Sequence, residues 1–178
     1  GAGAPPPRPV ALDLGCGNGR DALFLRQRLG PGWRVVGVDN HSHALDRGAE
    51  LAKRCGFGPD SGLEWENIDL RQPEILSTSS FAKASLVHGC RFLHRPLLEE
   101  IRDQVLLPGG IFIWSTFVEC KENLAPPYRP SRILVSGELA EMFGDCDNFS
   151  IIYDEEGVLM TRTKPVKAQF FVAQKRLA

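Results

Sequence analysis

Short, mostly apolar runs alternate with amphipathic stretches from Pro9 to the end of the chain, and no segment repeats another. Val10–Leu14, Trp33–Val38, Leu63–Leu70 and Ala84–Cys90 read as strands, because each is too short for a helix and is bounded by turn residues. Ile111–Ile113 after Pro108-Gly109-Gly110, then Phe149–Asp154 and Val166–Ala173, extend the series to seven. Between them lie helical spacings. Arg20–Leu29 puts Ala22, Leu25 and Leu29 on one face and stops at Gly30-Pro31-Gly32. A second helix starts with Ser42 as N-cap, aligns Ala44, Gly48, Leu51 and Cys55, and ends at Gly56. Gly48 in its middle costs about 1 kcal/mol against Ala, which points to close packing on the sheet. A weak helix is expected around Glu74–Lys83, and a firmer one over Pro96–Leu107 with Leu97, Ile101 and Val105 inward. Ser136–Phe143 predicts a last helix, and Asp154-Glu155-Glu156-Gly157 through Lys164-Pro165 a turn joining an antiparallel pair. Strand and helix taking turns in this way point to a parallel sheet wound on both faces.

Composition adds limits. The chain has 178 residues, 43% of them hydrophobic and 24% charged, enough for one core and ordinary for one globular domain. Pro5-Pro6-Pro7 makes residues 1–8 a linker or cloning remnant, leaving 9–178 as the domain. A net charge of -1 argues against a stand-alone nucleic-acid binder. Five cysteines, never in a Cys-x-x-Cys pair, and histidines without ligand spacing argue against a disulfide frame or a metal site. No apolar run is long enough for a membrane span, and no signal segment is present, so a cytoplasmic location is expected.

The chemistry begins where the first strand ends. Asp13-Leu14-Gly15-Cys16-Gly17-Asn18-Gly19 is a glycine turn between a strand and a helix N-terminus, where bare backbone lets a ligand approach. Twenty residues past Gly19, Asp39 closes the second strand, and a carboxylate there offers two oxygens to a vicinal diol. The spacing Gly-x-Gly-x-Gly is one residue tighter than the dinucleotide fingerprint, whose third glycine would fall at Arg20. Asp-x-Gly-x-Gly-x-Gly, followed in order by Asp39, Asp69 and Leu107-Pro108-Gly109-Gly110, resembles the class I S-adenosylmethionine-dependent methyltransferases over residues 9 to 120.

This resemblance implies a Rossmann-like α/β fold with a seven-stranded, mostly parallel sheet in the order 3-2-1-4-5-7-6. It implies S-adenosylmethionine as cofactor, held by Asp13, Gly15, Cys16, Gly17, Gly19, Asp39, Asn40, Asp69, Leu70 and Gly89, with Asp69 on the adenine amino group. The family's helices before the first strand are missing here, which makes an additional N-terminal domain in a longer chain the expectation.

On the acceptor side the resemblance places His94 as a candidate base and Arg91 beside it as catalytic residues. The other reading of His94 is a helix-entry residue with a structural hydrogen bond. His88 reads as a core residue. Arg95, Phe117, Tyr128, Arg129 and Arg132 would face the acceptor, because both segments leave the carboxyl ends of central strands. If these cations meet over the methyl group, the acceptor carries negative charge or loses a proton. Phe92–Phe117, with the arginine-rich insert after it and the Ser136-Gly137-Glu138-Leu139 helix, is similar to small tellurite-resistance and thiopurine-type methyltransferases, implying a small thiol or chalcogen acceptor. An RNA or protein acceptor, a nicotinamide-dependent oxidoreductase and a non-catalytic module of the same fold are the alternatives.

Overall fold

The computed structural model describes residues 7–120, 129–144, 148–161 and 164–177. Its strands are β1 (Val10–Leu14), β2 (Arg34–Asp39), β3 (Leu63–Asn67), β4 (Ala84–Cys90), β5 (Leu106–Phe117), β6 (Phe149–Met160) and β7 (Pro165–Lys175). They form one sheet in the order β3-β2-β1-β4-β5-β7-β6, parallel from β3 to β5, with β7 antiparallel to both β5 and β6. The helices are α1 (Arg20–Leu29), α2 (Ser42–Arg54), α3 (Arg95–Glu100) and α4 (Glu138–Gly144). Among the described residues no helix is long and apolar enough to cross a membrane.

Period-two alternation sorts the core into two layers. Ala11, Val35, Leu63 and Leu86 pack with Ala22, Leu23 and Ala52 of α1 and α2 on one face. Their neighbours Leu12, Val36 and Val87 pack on the other face with Leu97, Leu98 and Ile101 around α3 and with Leu139 and Phe143 of α4. An aromatic stack stiffens that second layer: Phe112 lies 5.3 Å from Trp114 and 4.4 Å from Phe143 between ring centroids. Trp114 Nε1 donates to the Phe92 carbonyl at 2.9 Å, which ties the turn after β4 to β5. Gly89 lies against the same indole, where an added Cβ would come within 2.3 Å of the ring.

Several local expectations change once tertiary contacts enter. No helix forms over residues 74–83. Ser77, Thr78 and Ser79 turn their hydroxyls onto the Glu74 and Leu76 carbonyls, and the Glu100 carboxylate accepts the Leu76 and Ser77 N–H groups at 2.9 and 2.7 Å. The helix expected to run to Leu107 is α3 followed by a wider turn over Ile101–Val105, and β5 already begins at Leu106. Ser42 is the first residue of α2 and His41 its cap; the buried face is Ala44, Leu45, Gly48 and Ala52, with Cys55 exposed beyond the end. On α1, Ala22, Leu23 and Arg26 are buried, while Leu25 and Leu29 are only partly covered.

The acidic run after Tyr153 is strand rather than turn, because its carboxylates find cross-strand partners. Gln169 Nε2 donates to Asp154 at 2.5 Å, and Glu156 pairs with Lys167 and with Ser136. β6 therefore runs on to Met160, and the hairpin closes between Thr161 and Lys164.

Candidate functional site

β1 delivers the glycine turn to the carboxyl edge of the sheet. Gly15 takes φ 69°, and the N–H groups of Gly15 and Cys16 both donate to the Val38 carbonyl, at 2.8 and 3.1 Å. Gly19 also has φ 69° and caps α1. Its α-hydrogen side faces the Trp65 indole, where a Cβ would fall 2.2 Å from the ring; Gly37 and Gly48 line the same slot. The packing inferred for Gly48 is thus packing against Trp65 of β3.

Asp39 joins the turn to the start of α2. One carboxylate oxygen accepts the Gly17 N–H at 2.8 Å, and the other accepts the His41 N–H at 2.9 Å, with the His41 ring nitrogen 3.1 Å away. The Asp39 carbonyl accepts the Ile68 N–H, which holds the turn after β3 beside it. Asp69 lies two residues past β3, gripped by Arg71 through contacts of 2.9 and 3.1 Å. The Arg71 guanidinium and N–H both hold this carboxyl below the usual range.

A cavity of about 550 Å³ opens between these turns and the ends of β4 and β5. Gly15, Asp39, Asn40 and His41 line its first side, with Ile68, Asp69, Leu70 and Arg71 next to them. Arg91, Phe92 and Leu93 after β4, then Phe117 of β5 with Arg129 and Arg132, line the opposite side. Arg91 has φ 58°, rare for a residue with a side chain, and its N–H is fixed by the Ser115 carbonyl at 2.7 Å.

A methyltransferase domain family matches residues 8–145. The chain belongs to this methyltransferase domain family. Over 110 residues it is 26% identical to carboxy-S-adenosyl-L-methionine synthase of Helicobacter pylori (strain P12), covering 61% of this chain and 43% of that one. The chain thus spans less than half the length of this curated relative. Its fold is that of TehB from Haemophilus influenzae (TM-score 0.73, 16% identity, 94% of this chain and 57% of that one). It is also that of 1,6-didemethyltoxoflavin-N1-methyltransferase from Burkholderia thailandensis, solved with S-adenosylhomocysteine (TM-score 0.63, 22% identity, 95% and 72%). Membership in the family makes S-adenosylmethionine the cofactor.

The residues of the methyltransferase domain fit that group. Gly15, Asp39, Asn40, Asp69 and Leu70 share one cavity wall, with polar acceptors at Asp39 and Asp69 and the apolar Ile68 between them. Asp13, Cys16, Gly17, Gly19 and Gly89 are off that wall. Gly17 reaches it through Asp39, and Gly19 and Gly89 pack on Trp65 and Trp114. Cys16 has its thiol pushed up by burial, with Asp13 and Asp39 adding to the shift. Asp13 is 1% exposed and bonds His88 Nδ1 at 2.8 Å, so His88 is a half-buried partner of the first-strand acid. Burial works against a charge on His88, but the Asp13 hydrogen bond and the fields of Asp13 and Asp21 outweigh it and raise its pKa. Burial raises Asp13 too, against the pull of His88.

Of the acceptor-side residues, Arg91, Phe117, Arg129 and Arg132 come together, and Tyr128 lies outside the described residues. Arg95 is used elsewhere: it pairs with Glu138 and donates to the Ile133 carbonyl at 3.1 Å, anchoring the segment that carries Arg132. His94 caps α3 and lines a second cavity of about 430 Å³ together with Glu99, Glu100 and Asp103; Arg71 borders both cavities. His41, Ile68, Arg71, Phe92 and Leu93 were not foreseen. Only Arg71 left a trace in the sequence, an arginine two residues after an acid that can fold back on it.

Proposed function

We propose that this domain transfers a methyl group from S-adenosylmethionine to a small-molecule acceptor bound on the β4–β5 side of the cavity. One observation carries the reading: a single cavity joins the glycine turn and the two acids of the donor side to an apolar and cationic wall after β4 and β5. The bound cofactor supplies an electrophilic methyl on a sulfonium, whose carbon–sulfur electron pair stays with sulfur when an acceptor lone pair takes the carbon.

The protein's share is binding and alignment. Asp39 receives the ribose hydroxyls on the lone pairs left free by Gly17 and His41, and the turn held by Val38 brings bare backbone against the methionyl part. Asp69 offers an acceptor to the adenine amino group, beside Ile68 and Leu70. Phe92 and Phe117 exclude water from the acceptor. A thiol or chalcogen acceptor is favoured within this reading by the similarity to small tellurite-resistance and thiopurine-type enzymes.

Calorimetric titration with S-adenosylmethionine and S-adenosylhomocysteine tests the donor half, with NADH as the control. Binding of both sulfur compounds and not of NADH supports the reading; the reverse overturns it. Labelled methyl transfer to a panel of small thiols then tests the acceptor half.

A further inference from the structure

This inference rests on the methyl-transfer reading and concerns what the acceptor must look like. Arg91, Arg129 and Arg132 line one side of the cavity, and none makes a side-chain hydrogen bond or ion pair to a described residue. Four other arginines of this fold are held by carboxylates: Arg34 by Glu64, Arg71 by Asp69, Arg95 by Glu138, Arg102 by Asp103. Three guanidiniums gathered in one concavity repel one another, and low-dielectric walls strengthen that field. Arg91 is also held in a left-handed backbone conformation that disfavours a side chain, fixed there by Ser115.

Among the described residues of the cavity no carboxylate answers this charge. Asp39 and Asp69 stand at the ends of β2 and β3, across β1 from the arginines, with Asp39 bonded to Gly17 and His41 and Asp69 to Arg71. The walls next to the cations are apolar, formed by Phe92, Leu93 and Phe117. His94 lines the other cavity, and His41, the histidine of this one, stands on the donor side with its ring nitrogen 3.1 Å from the Asp39 carboxylate. The β4–β5 side of the cavity is therefore poorly equipped to make an anion and well equipped to receive one.

We infer that the β4–β5 side of the cavity binds the acceptor as a preformed anion, a small organic acid with an aromatic or apolar body. Arg129 and Arg132 neutralise its charge from the segment after β5, and Arg91 does so from the end of β4. The body of the acid lies against Phe92 and Phe117.

The probes are 2-naphthoate and its uncharged counterpart 2-naphthamide, titrated by NMR and calorimetry into protein saturated with S-adenosylhomocysteine. Naphthoate is expected to bind about tenfold more tightly than naphthamide, as charge-assisted hydrogen bonds to guanidinium outweigh neutral ones. Added salt should erode that preference. Arg129→Gln with Arg132→Gln should abolish it while leaving S-adenosylhomocysteine affinity within about twofold, and Arg129→Lys with Arg132→Lys should restore part of it, since lysine keeps the charge without the fork. Equal binding of the two probes, or no binding of naphthoate, overturns the inference. A matching loss of S-adenosylhomocysteine affinity in the glutamine variant also overturns it, because the arginines would then serve the donor's own carboxylate. A wild-type protein that binds no S-adenosylhomocysteine sinks the methyl-transfer reading and this inference with it. Intact nucleoside binding without an anion preference sinks the inference alone.

Discussion

At the β1–β3 side of the cavity the polar groups already have protein partners, whereas at the β4–β5 side three guanidiniums have none among the described residues. Asp39 accepts two backbone N–H groups, Asp69 is clamped by Arg71, and the glycine turn hangs from the Val38 carbonyl. Across β1, the cations at Arg91, Arg129 and Arg132 face apolar side chains. One half is thus preorganised by contacts that also hold the fold together, and the other stores charge for a ligand to satisfy. Changes on the first side should cost stability and donor affinity; changes on the second should cost acceptor binding and leave the fold alone.

The hardest test of the first half is Gly19→Ala. A methyl group at φ 69° against the Trp65 ring combines left-handed strain with overpacking, together about 3 to 4 kcal/mol. Urea denaturation should show a much lower midpoint; an unchanged midpoint would mean that Trp65 moves away freely.

His88→Gln should cost about 3 kcal/mol at pH 6, because it leaves Asp13 buried without its partner. The folded-state pKa of His88 is raised from 6.5, so its contribution is full below about 6.5 and is lost as pH rises through the higher folded value. The stability gap between wild type and variant should therefore narrow from pH 6 to pH 9 in denaturant titrations. A gap that widens with pH would show that the pair carries no proton.

Asp39→Ala should weaken S-adenosylmethionine binding by about a hundredfold, from the loss of charge-assisted hydrogen bonds to the ribose and of the grip on Gly17. Asp69→Ala should weaken it by only a few fold, since Arg71 already occupies both oxygens of that carboxylate. Calorimetry reads both, and equal losses would mean that the adenine hangs on Asp69 more than on its apolar neighbours.

The smallest effect has the opposite sign. Arg91→Gly relieves a left-handed side-chain residue and should stabilise the fold by about 1 kcal/mol, seen as a higher melting temperature. Acceptor binding should fall at the same time. A destabilised Arg91→Gly protein would show that the side chain supports the fold, and the contrast between the two halves would blur.

Much of this was legible in the chain because it is local. The glycine turn and Asp39 follow from spacing along two consecutive strands, and α1 and α2 from helical periodicity. The failures were local patterns overruled by distant partners. Glu100 draws the N–H groups of Leu76 and Ser77 away from a helix, and Lys167 and Gln169 convert an acidic turn into strand. Tyr128 falls outside the described residues, and His94 lines the second cavity while Arg91 lines the first.

The sequence alone determined the order of elements, the glycine turn and the acid that closes β2, since each depends on residues a few positions apart and on backbone preferences they carry themselves. Only the tertiary structure decided which side chains meet. Register between β1 and β4 sets Asp13 beside His88, 75 positions away, and turns a lone acid into half of a buried pair. The slot around Trp65 gathers Gly19, Gly37 and Gly48 from three separate segments. Arg95 and Arg132, close in the reading of the chain, part company because Glu138 is within reach of the first and the cavity lies before the second. Such meetings depend on strand order and register, which no local pattern of residues encodes.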